Sequence, residues 1–400
     1  MGEPGYFQRG FGLKDEIRPE LKADYHSGIV ERLKASEHRL RAGTLTFLLA
    51  REFGFCYGVD RAVEYAYETR RKFPDRTIYL VGEIIHNPHV NARIKEMGIR
   101  FLREADGGGP GFEAVRPEDV VILPAFGVTV EEMARLRRSG CVMVDTTCGS
   151  VLNVWKNVDR FSATGFTALI HGKYAHEETR ATASRTTQYP GGRHLVVRDR
   201  AEAELVCDYI RRGGDKDAFL ARFAFACSPG FDPDVDLERI GLANQTTMLS
   251  SESLAIAEMF REAIRSRYGD AEMDTRFRSF DTICSATQDR QDAVAALLDQ
   301  WPLDLMIVIG GYNSSNTCNL ARICAPRVPT FHIAEPGGLV SPSEIRHKAV
   351  GGKDERLSIG WLPTSGPVSI GLTSGASTPD NLVGTVIRRL DTFANLGESR

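Results

Sequence analysis

The sequence predicts an α/β architecture built on mostly parallel sheets. Two observations carry that expectation: apolar runs rich in Val, Ile and Leu alternate with longer segments of helical period, and Gly/Pro-rich punctuation separates them. A third sets the scale, because 400 residues with 42% hydrophobic side chains suffice for two to three domains with proper cores.

Taken in order, residues 1 to 43 read as a polar, partly helical extension. Within it, "KADYHSGIVERLKASEHRLRAG" spaces its apolar residues at helical intervals and ends on a glycine. From Thr44 the pattern turns to strand, loop and helix. The predicted strands are "TIYLVGE", "DVVILPA", "CVMVD", "FTALIHG", "HLVVRD", "RIGLANQ", "LMIVIGG" and "VSIGLTS", and "SESLAIAEMFREAIRSRYG" exemplifies the helices between them. Loops are marked by "DGGGPG" (106 to 111), "YPGGR" (189 to 193) and "RRGGDKD" (211 to 217), and no short-period repeat occurs.

A net charge of −3 gives no broad electrostatic footprint for nucleic acid or an anionic membrane, so any anionic ligand has to be held locally. The apolar runs are strand-sized, as in "LDLMIVIG", and too short to span a bilayer. The first 45 residues mix acids such as Glu3, Asp15, Glu16 and Glu20 with bases and lack an apolar core, which argues for a reducing, cytoplasm-like compartment. Eight cysteines without short-range even spacing suit metal or catalytic use better than a disulfide framework.

Three cysteines share one context. Cys56 follows "TLTFLLAREFGF", Cys148 follows "CVMVDTT", and Cys284 follows "RFRSFDTI"; each stands at a strand exit and a helix entry. Ligands collect at the carboxyl ends of strands in open α/β sheets, and a helix start favours the thiolate, the species that binds metal. Any one such cysteine is as a rule a small residue in a tight turn, but three in the same slot imply a shared metal or cluster with one coordination position open. Cys141, Cys207, Cys227 and Cys324 read as structural, within a strand, within a helix and near helix ends. Cys318, in "GGYNSSNTCNLARIC", is the residue that would close the fourth position.

Two more strand-to-helix loops, "GGYNSSNT" (310 to 317) and "LTSGASTPDNLV" (372 to 383), are rich in small hydroxyl and amide residues. Singly each is an ordinary helix cap; together with "ANQTTMLSSES" they suit a neutral cradle for a diphosphate. The segment "IHGKYAHEETRATAS" gathers His171, Lys173, His176, Glu177 and Glu178, with His176 suited to an anionic headgroup and a glutamate suited to proton delivery. "VGEIIHNPHVNARI" offers His86 and His89, the latter better explained by a surface role.

The stretches "GFCYGVDRAV", "GEIIHNPHV", "VDTTCGSV", "HGKYAHEETRATAS", "NQTTML", "DTICSATQDRQDA", "GGYNSSNT" and "TSGASTPDNLV" make the chain similar to the 4-hydroxy-3-methylbut-2-enyl diphosphate reductase family, also called the LytB family. The "HEET" form and the "GFGLKDE" extension resemble its plant and cyanobacterial branch. The resemblance implies three α/β domains in a pseudo-threefold trefoil around a central cavity: an extension at 1–43, domains at 44–147, 148–281 and 282–388, and a tail at 389–400. It implies a 4Fe-4S cluster on Cys56, Cys148 and Cys284 with one open iron site. The substrate diphosphate would meet His86, His176, Ser314, Ser315, Asn316 and Ser377, while Glu178 and Thr246 would serve the reacting hydroxyl. The chain departs from the family pattern in "PAFGV", where Phe126 stands for a frequent histidine, and at Gly149, which stands for a proline.

The implied activity removes an allylic hydroxyl with two electrons and two protons, giving isopentenyl and dimethylallyl diphosphate, the last step of the methylerythritol phosphate isoprenoid pathway. Electrons have to come from a partner, expected to be a ferredoxin or flavodoxin, because no G-x-G-x-x-G fingerprint follows a strand. A zinc hydrolase with three thiolates is the enzymatic alternative. A cluster-bearing sensor or electron carrier, with Cys318 as a fourth ligand, is the non-enzymatic one.

Overall fold

A computed structural model describes residues 5–104, 107–352 and 354–398, with side chains through residue 394. Residues 1 to 4 of the expected extension, Asp106 of the expected "DGGGPG" loop, and 399 and 400 of the expected tail lie outside the described residues. The chain divides into two compact units: Met1–Gln8, Tyr79–Gly82 and Phe101–Cys284 form the first, and Arg9–Ile78, Glu83–Arg100 and Ser285–Arg400 form the second.

A wholly parallel four-stranded sheet runs through the first unit in the order Phe277–Ser279, Ile240–Asn244, Thr167–His171, His194–Val197. Its central strands are buried at every position, as strands covered by helices on both faces must be. The helices Arg200–Arg212 and Ser250–Tyr268 supply part of that cover through Val206, Ile210, Ile256 and Phe260. A five-stranded sheet lying largely in the same unit has the order Tyr6–Phe7, Val142–Asp145, Val120–Leu123, Ile78–Leu80, Ile99–Phe101.

The seven-stranded sheet of the second unit is parallel at its centre, where Thr330–Ile333, Leu305–Ile309, Val368–Ser374 and Leu45–Leu49 are neighbours. Leu305, Met306, Ile307, Val308 and Ile309 are all essentially inaccessible, each worth about 1.5–3 kcal/mol of apolar burial. An aspartate at Ile307 would put an unpaired charge into that layer. Antiparallel strands close both sides, Glu344–Lys348 with Glu355–Ile359 at one edge and Arg39–Ala42 at the other.

All eight predicted strands form. The extension differs from its expected helical pattern: helices Lys14–Tyr25 and Gly28–Ala35 give way to the strand Arg39–Ala42, and Gly43 makes the turn into Leu45–Leu49 instead of stopping a helix. Sheet pairing with Leu45–Leu49 overrides the helical spacing there. The edge strand Glu355–Ile359 escaped the sequence pattern because it is exposed at four of its five positions and has no buried apolar face. Cys141 lies one residue ahead of the strand Val142–Asp145, not within it, and is buried.

Candidate active site

Each of the three singled-out cysteines is built into the fold in the same way. Cys56 directly precedes the helix Tyr57–Lys72, Cys148 the helix Gly149–Ala163, and Cys284 the helix Ser285–Gln300. Each follows a strand that pairs in parallel with a neighbour, and each gives its backbone N–H to the loop leaving that neighbour. Cys56 N donates to Ala376 O at 3.1 Å, Cys148 N to Ala125 O at 3.0 Å and Cys284 N to Thr246 O at 3.2 Å. A strand-end loop thus fixes each cysteine where the helix begins, the end of the peptide dipole that favours anions. All three are half-buried and none is in a disulfide.

The other cysteines differ. Burial pushes the Cys207 and Cys324 thiols up to about 12, and it raises those of Cys141 and Cys227 as well. These are inert packing groups. Cys318 lies inside the helix Ser315–Cys324, and its Sγ donates to Tyr312 O at 3.3 Å. Gly149 starts its helix without distortion, and open space surrounds the place where a Cβ would stand, so the missing proline leaves the turn after Cys148 intact.

In the first unit, Glu178 and Thr246 are in direct contact. Glu178 Oε1 accepts from Thr246 N at 2.6 Å and Oε2 accepts from Thr246 Oγ1 at 3.0 Å. The short helix Glu177–Ser184 presents the glutamate because His176 caps it, with Nδ1 accepting from Glu178 N at 3.2 Å. Thr246 in turn holds Cys284 through its carbonyl, while Thr282 ties the same loop to Asn244 by accepting from its N–H and donating to its carbonyl. His176 stacks edge-to-face with Phe126, centroids 5.5 Å apart. The hydrogen bond that a histidine would supply at position 126 is thus replaced by an aromatic contact.

In the second unit, the residues expected to meet the diphosphate other than His176, namely His86, Ser314, Ser315, Asn316 and Ser377, gather around the first turn of Ser315–Cys324. Ser314 caps that helix, accepting from Thr317 N at 3.3 Å. Asn316 Oδ1 accepts from Ala376 N at 3.0 Å, while its Nδ2, in a residue 2% exposed, has no hydrogen-bond partner among the described residues. Ser377 Oγ donates to His86 O at 3.2 Å, and His86 Nδ1 lies 2.7 Å from Glu83 Oε2, which directs its Nε2 away from that carboxylate. The crowding is severe: a Cβ on Gly375 would lie 1.9 Å from Thr317 Oγ1. Ser315 is buried at the same helix start. An orphaned donor among small residues is what a neutral anion cradle requires.

Two structural residues were missed in the sequence. Gln245 Oε1 accepts from Lys173 N at 3.0 Å and from Thr179 Oγ1 at 3.1 Å, and its Nε2 donates to Thr247 Oγ1 at 2.9 Å. Arg290, 4% exposed, donates to Gly54 O at 2.8 Å and steadies the turn ahead of Cys56. Both sit in quoted stretches, "NQTTML" and "DRQDA", where a polar side chain at a buried position was the available signal. His171 is buried and bonded to Ser253, and desolvation pushes it down to about 4; His89 touches Asn381 at the surface. Neither belongs to the site.

Residues 47–391 match the family described as LytB protein. The 4-hydroxy-3-methylbut-2-enyl diphosphate reductase of Gloeobacter violaceus is 49% identical over all of this chain and 95% of its own length. That of Synechococcus sp. (strain RCC307) is 50% identical over 98% of this chain and 95% of its own. A solved structure of (E)-4-hydroxy-3-methyl-but-2-enyl diphosphate reductase, titled as the terminal enzyme of the non-mevalonate pathway, aligns with a TM-score of 0.51 at 26% identity, over 86% of this chain and 99% of that one. The Plasmodium falciparum E-1-hydroxy-2-methyl-but-2-enyl-4-diphosphate reductase aligns at 0.61 and 21% identity, over 87% of this chain and 88% of that one, and shares the fold. With the match running through every element that carries the thiols, the acid and the hydroxyl loops, the chain belongs to the LytB family.

Proposed function

We propose that this chain reductively dehydroxylates 4-hydroxy-3-methylbut-2-enyl diphosphate to isopentenyl and dimethylallyl diphosphate, the terminal step of the non-mevalonate isoprenoid route. The observation that carries the reading is that Thr246 meets the Glu178 carboxyl with its N–H and hydroxyl and, through its backbone carbonyl, accepts from the backbone N–H of Cys284, so an acid and a hydroxyl are fixed beside the residue that carries a ligand-type thiol.

The donor set fits an iron–sulfur cluster: Cys56, Cys148 and Cys284 are half-buried thiols outside any disulfide, each in the same strand-to-helix slot, while the remaining cysteines are packed or bonded to backbone. A 4Fe-4S cluster on these three would supply electrons and one open iron as a Lewis acid for the allylic oxygen. The protein's own part is separable. His86, His176, Ser314, Ser315, Asn316 and Ser377 bind the diphosphate, with the buried Asn316 Nδ2 as a ready donor. Thr246 Oγ1 passes a proton to the departing hydroxyl and regains one from Glu178 in its protonated form, the contact between Oγ1 and Oε2 then reversing its direction and the acid being recharged from solvent. Hydroxide leaves poorly, so the acid matters, and the cradle holds the allyl group in place for it.

Two electrons and two protons enter and one water leaves per turnover. Nothing in the sequence has a dinucleotide fingerprint, so a small one-electron or flavin carrier such as ferredoxin or flavodoxin is the proposed donor. Eight cysteines outside any disulfide fit a reducing, cytoplasm-like setting, and no described helix is long and apolar enough to cross a membrane. Three α/β domains around the cluster remain the proposed arrangement.

The test is anaerobic purification followed by iron, sulfide and zinc counts and then turnover with a reduced dye. About three to four irons with matching sulfide supports the reading. Stoichiometric zinc in a colourless protein would overturn it in favour of a hydrolase.

A further inference from the structure

The loop from Lys173 to His176 carries a tyrosine that the reaction does not use. Its backbone is pinned at both ends, Lys173 N on Gln245 Oε1 at 3.0 Å and His176 N on Lys173 O at 3.1 Å. Between them, the Tyr174 hydroxyl donates to Glu202 Oε2. Glu202 lies in the helix Arg200–Arg212, is 2% exposed, and also accepts from Arg198 N at 2.9 Å and Arg222 Nη2 at 3.2 Å. The Tyr174 ring meets Phe225 edge-to-face at 4.9 Å. Burial, reinforced by Glu202, raises the phenol's pKa, so it stays a donor throughout the physiological range.

A buried carboxylate with two arginine residues and a phenol around it is a rigid anchor, since each contact is charge-assisted. Two residues beyond that anchor, His176 caps the helix that presents Glu178. We propose that Tyr174 is a positioning residue, whose hydroxyl, tied to Glu202, sets the loop that places His176 for the diphosphate and Glu178 for proton delivery. The inference rests on the function proposed above for those two residues. Tyr174 itself touches no reacting atom.

The test compares the holoenzyme with Tyr174→Phe, Glu178→Gln and the double variant, and titrates inorganic diphosphate by calorimetry. Tyr174→Phe keeps the ring on Phe225 and leaves Glu202 its arginine contacts, so the melting temperature and iron content should hold. Its kcat should fall about tenfold, the scale of a sub-ångström misplacement, and its diphosphate Kd should rise about threefold. In the Glu178→Gln background the same substitution should cost less than about twofold in kcat, because the group it positions is already gone. Losses that multiply in the double variant, or kcat and Kd both unchanged in Tyr174→Phe, would overturn the inference. Wild type without turnover would sink the assigned reaction instead. The clamp would then be judged on diphosphate affinity alone, an unchanged Kd removing it.

Discussion

Glu178 and Asn316 each stand in the first turn of a short helix that follows a buried parallel strand, yet their hydrogen bonding is opposite. The carboxylate of Glu178 has both oxygens engaged by Thr246. Asn316 has its oxygen engaged by Ala376 N and its Nδ2 without a partner among the described residues. A buried carboxyl group has to be hydrogen-bonded whether or not a ligand is present, because ionising it unpaired costs several kcal/mol. A neutral amide tolerates a vacancy at about 1–3 kcal/mol. On the proposed function, the acid half is therefore organised in advance, and the cradle half is to be completed by its ligand.

Breaking the acid half gives the largest effect. Glu178→Gln keeps the shape and an acceptor for Thr246 but cannot supply a proton, and kcat should fall by about 10² to 10⁴ with KM little changed. Steady-state rates with a reduced dye check this, and an unchanged kcat would remove Glu178 from proton delivery. The cradle half should respond in the other parameter. Asn316→Asp retains the oxygen facing Ala376 N but replaces the waiting donor by negative charge. KM should rise about 10-fold to 100-fold while kcat stays within about threefold. If kcat fell instead, the cradle would be acting on the chemistry and the contrast with Glu178 would fail.

How much of this was legible in the sequence differs between the halves for a physical reason. The parallel strands announce themselves because strands buried on both faces are runs of Val, Ile and Leu, and "LMIVIGG" became the strand Leu305–Ile309. The helix starts after Cys56, Cys148 and Cys284 were legible from the change of period alone. Not legible was Arg39–Ala42, whose apolar spacing fits a helix until Leu45–Leu49 pairs with it. Nor were the Gln245–Lys173 and Tyr174–Glu202 contacts, which span 72 and 28 residues of sequence and exist only after the sheet has brought the loops together. Local pattern encodes elements; side-chain networks across loops need the tertiary fold.

Position 126 sharpens the comparison, because Phe126 packs on His176, which caps the helix bearing Glu178 and is also proposed to meet the anion. Phe126→His trades an edge-to-face pair, worth about 0.5–1.5 kcal/mol, for a hydrogen bond to a charged group, worth about 1.5–3 kcal/mol. The expected net is a KM about fivefold lower, measured against wild type at fixed pH. A higher KM would mean that the aromatic contact orients His176 better than a second histidine replaces it.

The smallest expected effect belongs to Cys318, and its smallness is informative. Its Sγ donates to Tyr312 O at 3.3 Å inside the helix whose first turn forms the cradle. A thiol committed to a backbone carbonyl is not presented as a thiolate ligand, and a serine can make the same bond. Cys318→Ser should therefore keep its iron count and its turnover within about twofold of wild type, the scale of a neutral hydrogen bond exchanged for another. Loss of iron or bleaching would instead make Cys318 a fourth ligand. The open coordination position would then be closed, and the protein would be an electron carrier or sensor whose hydroxyl-rich loops serve some other anion.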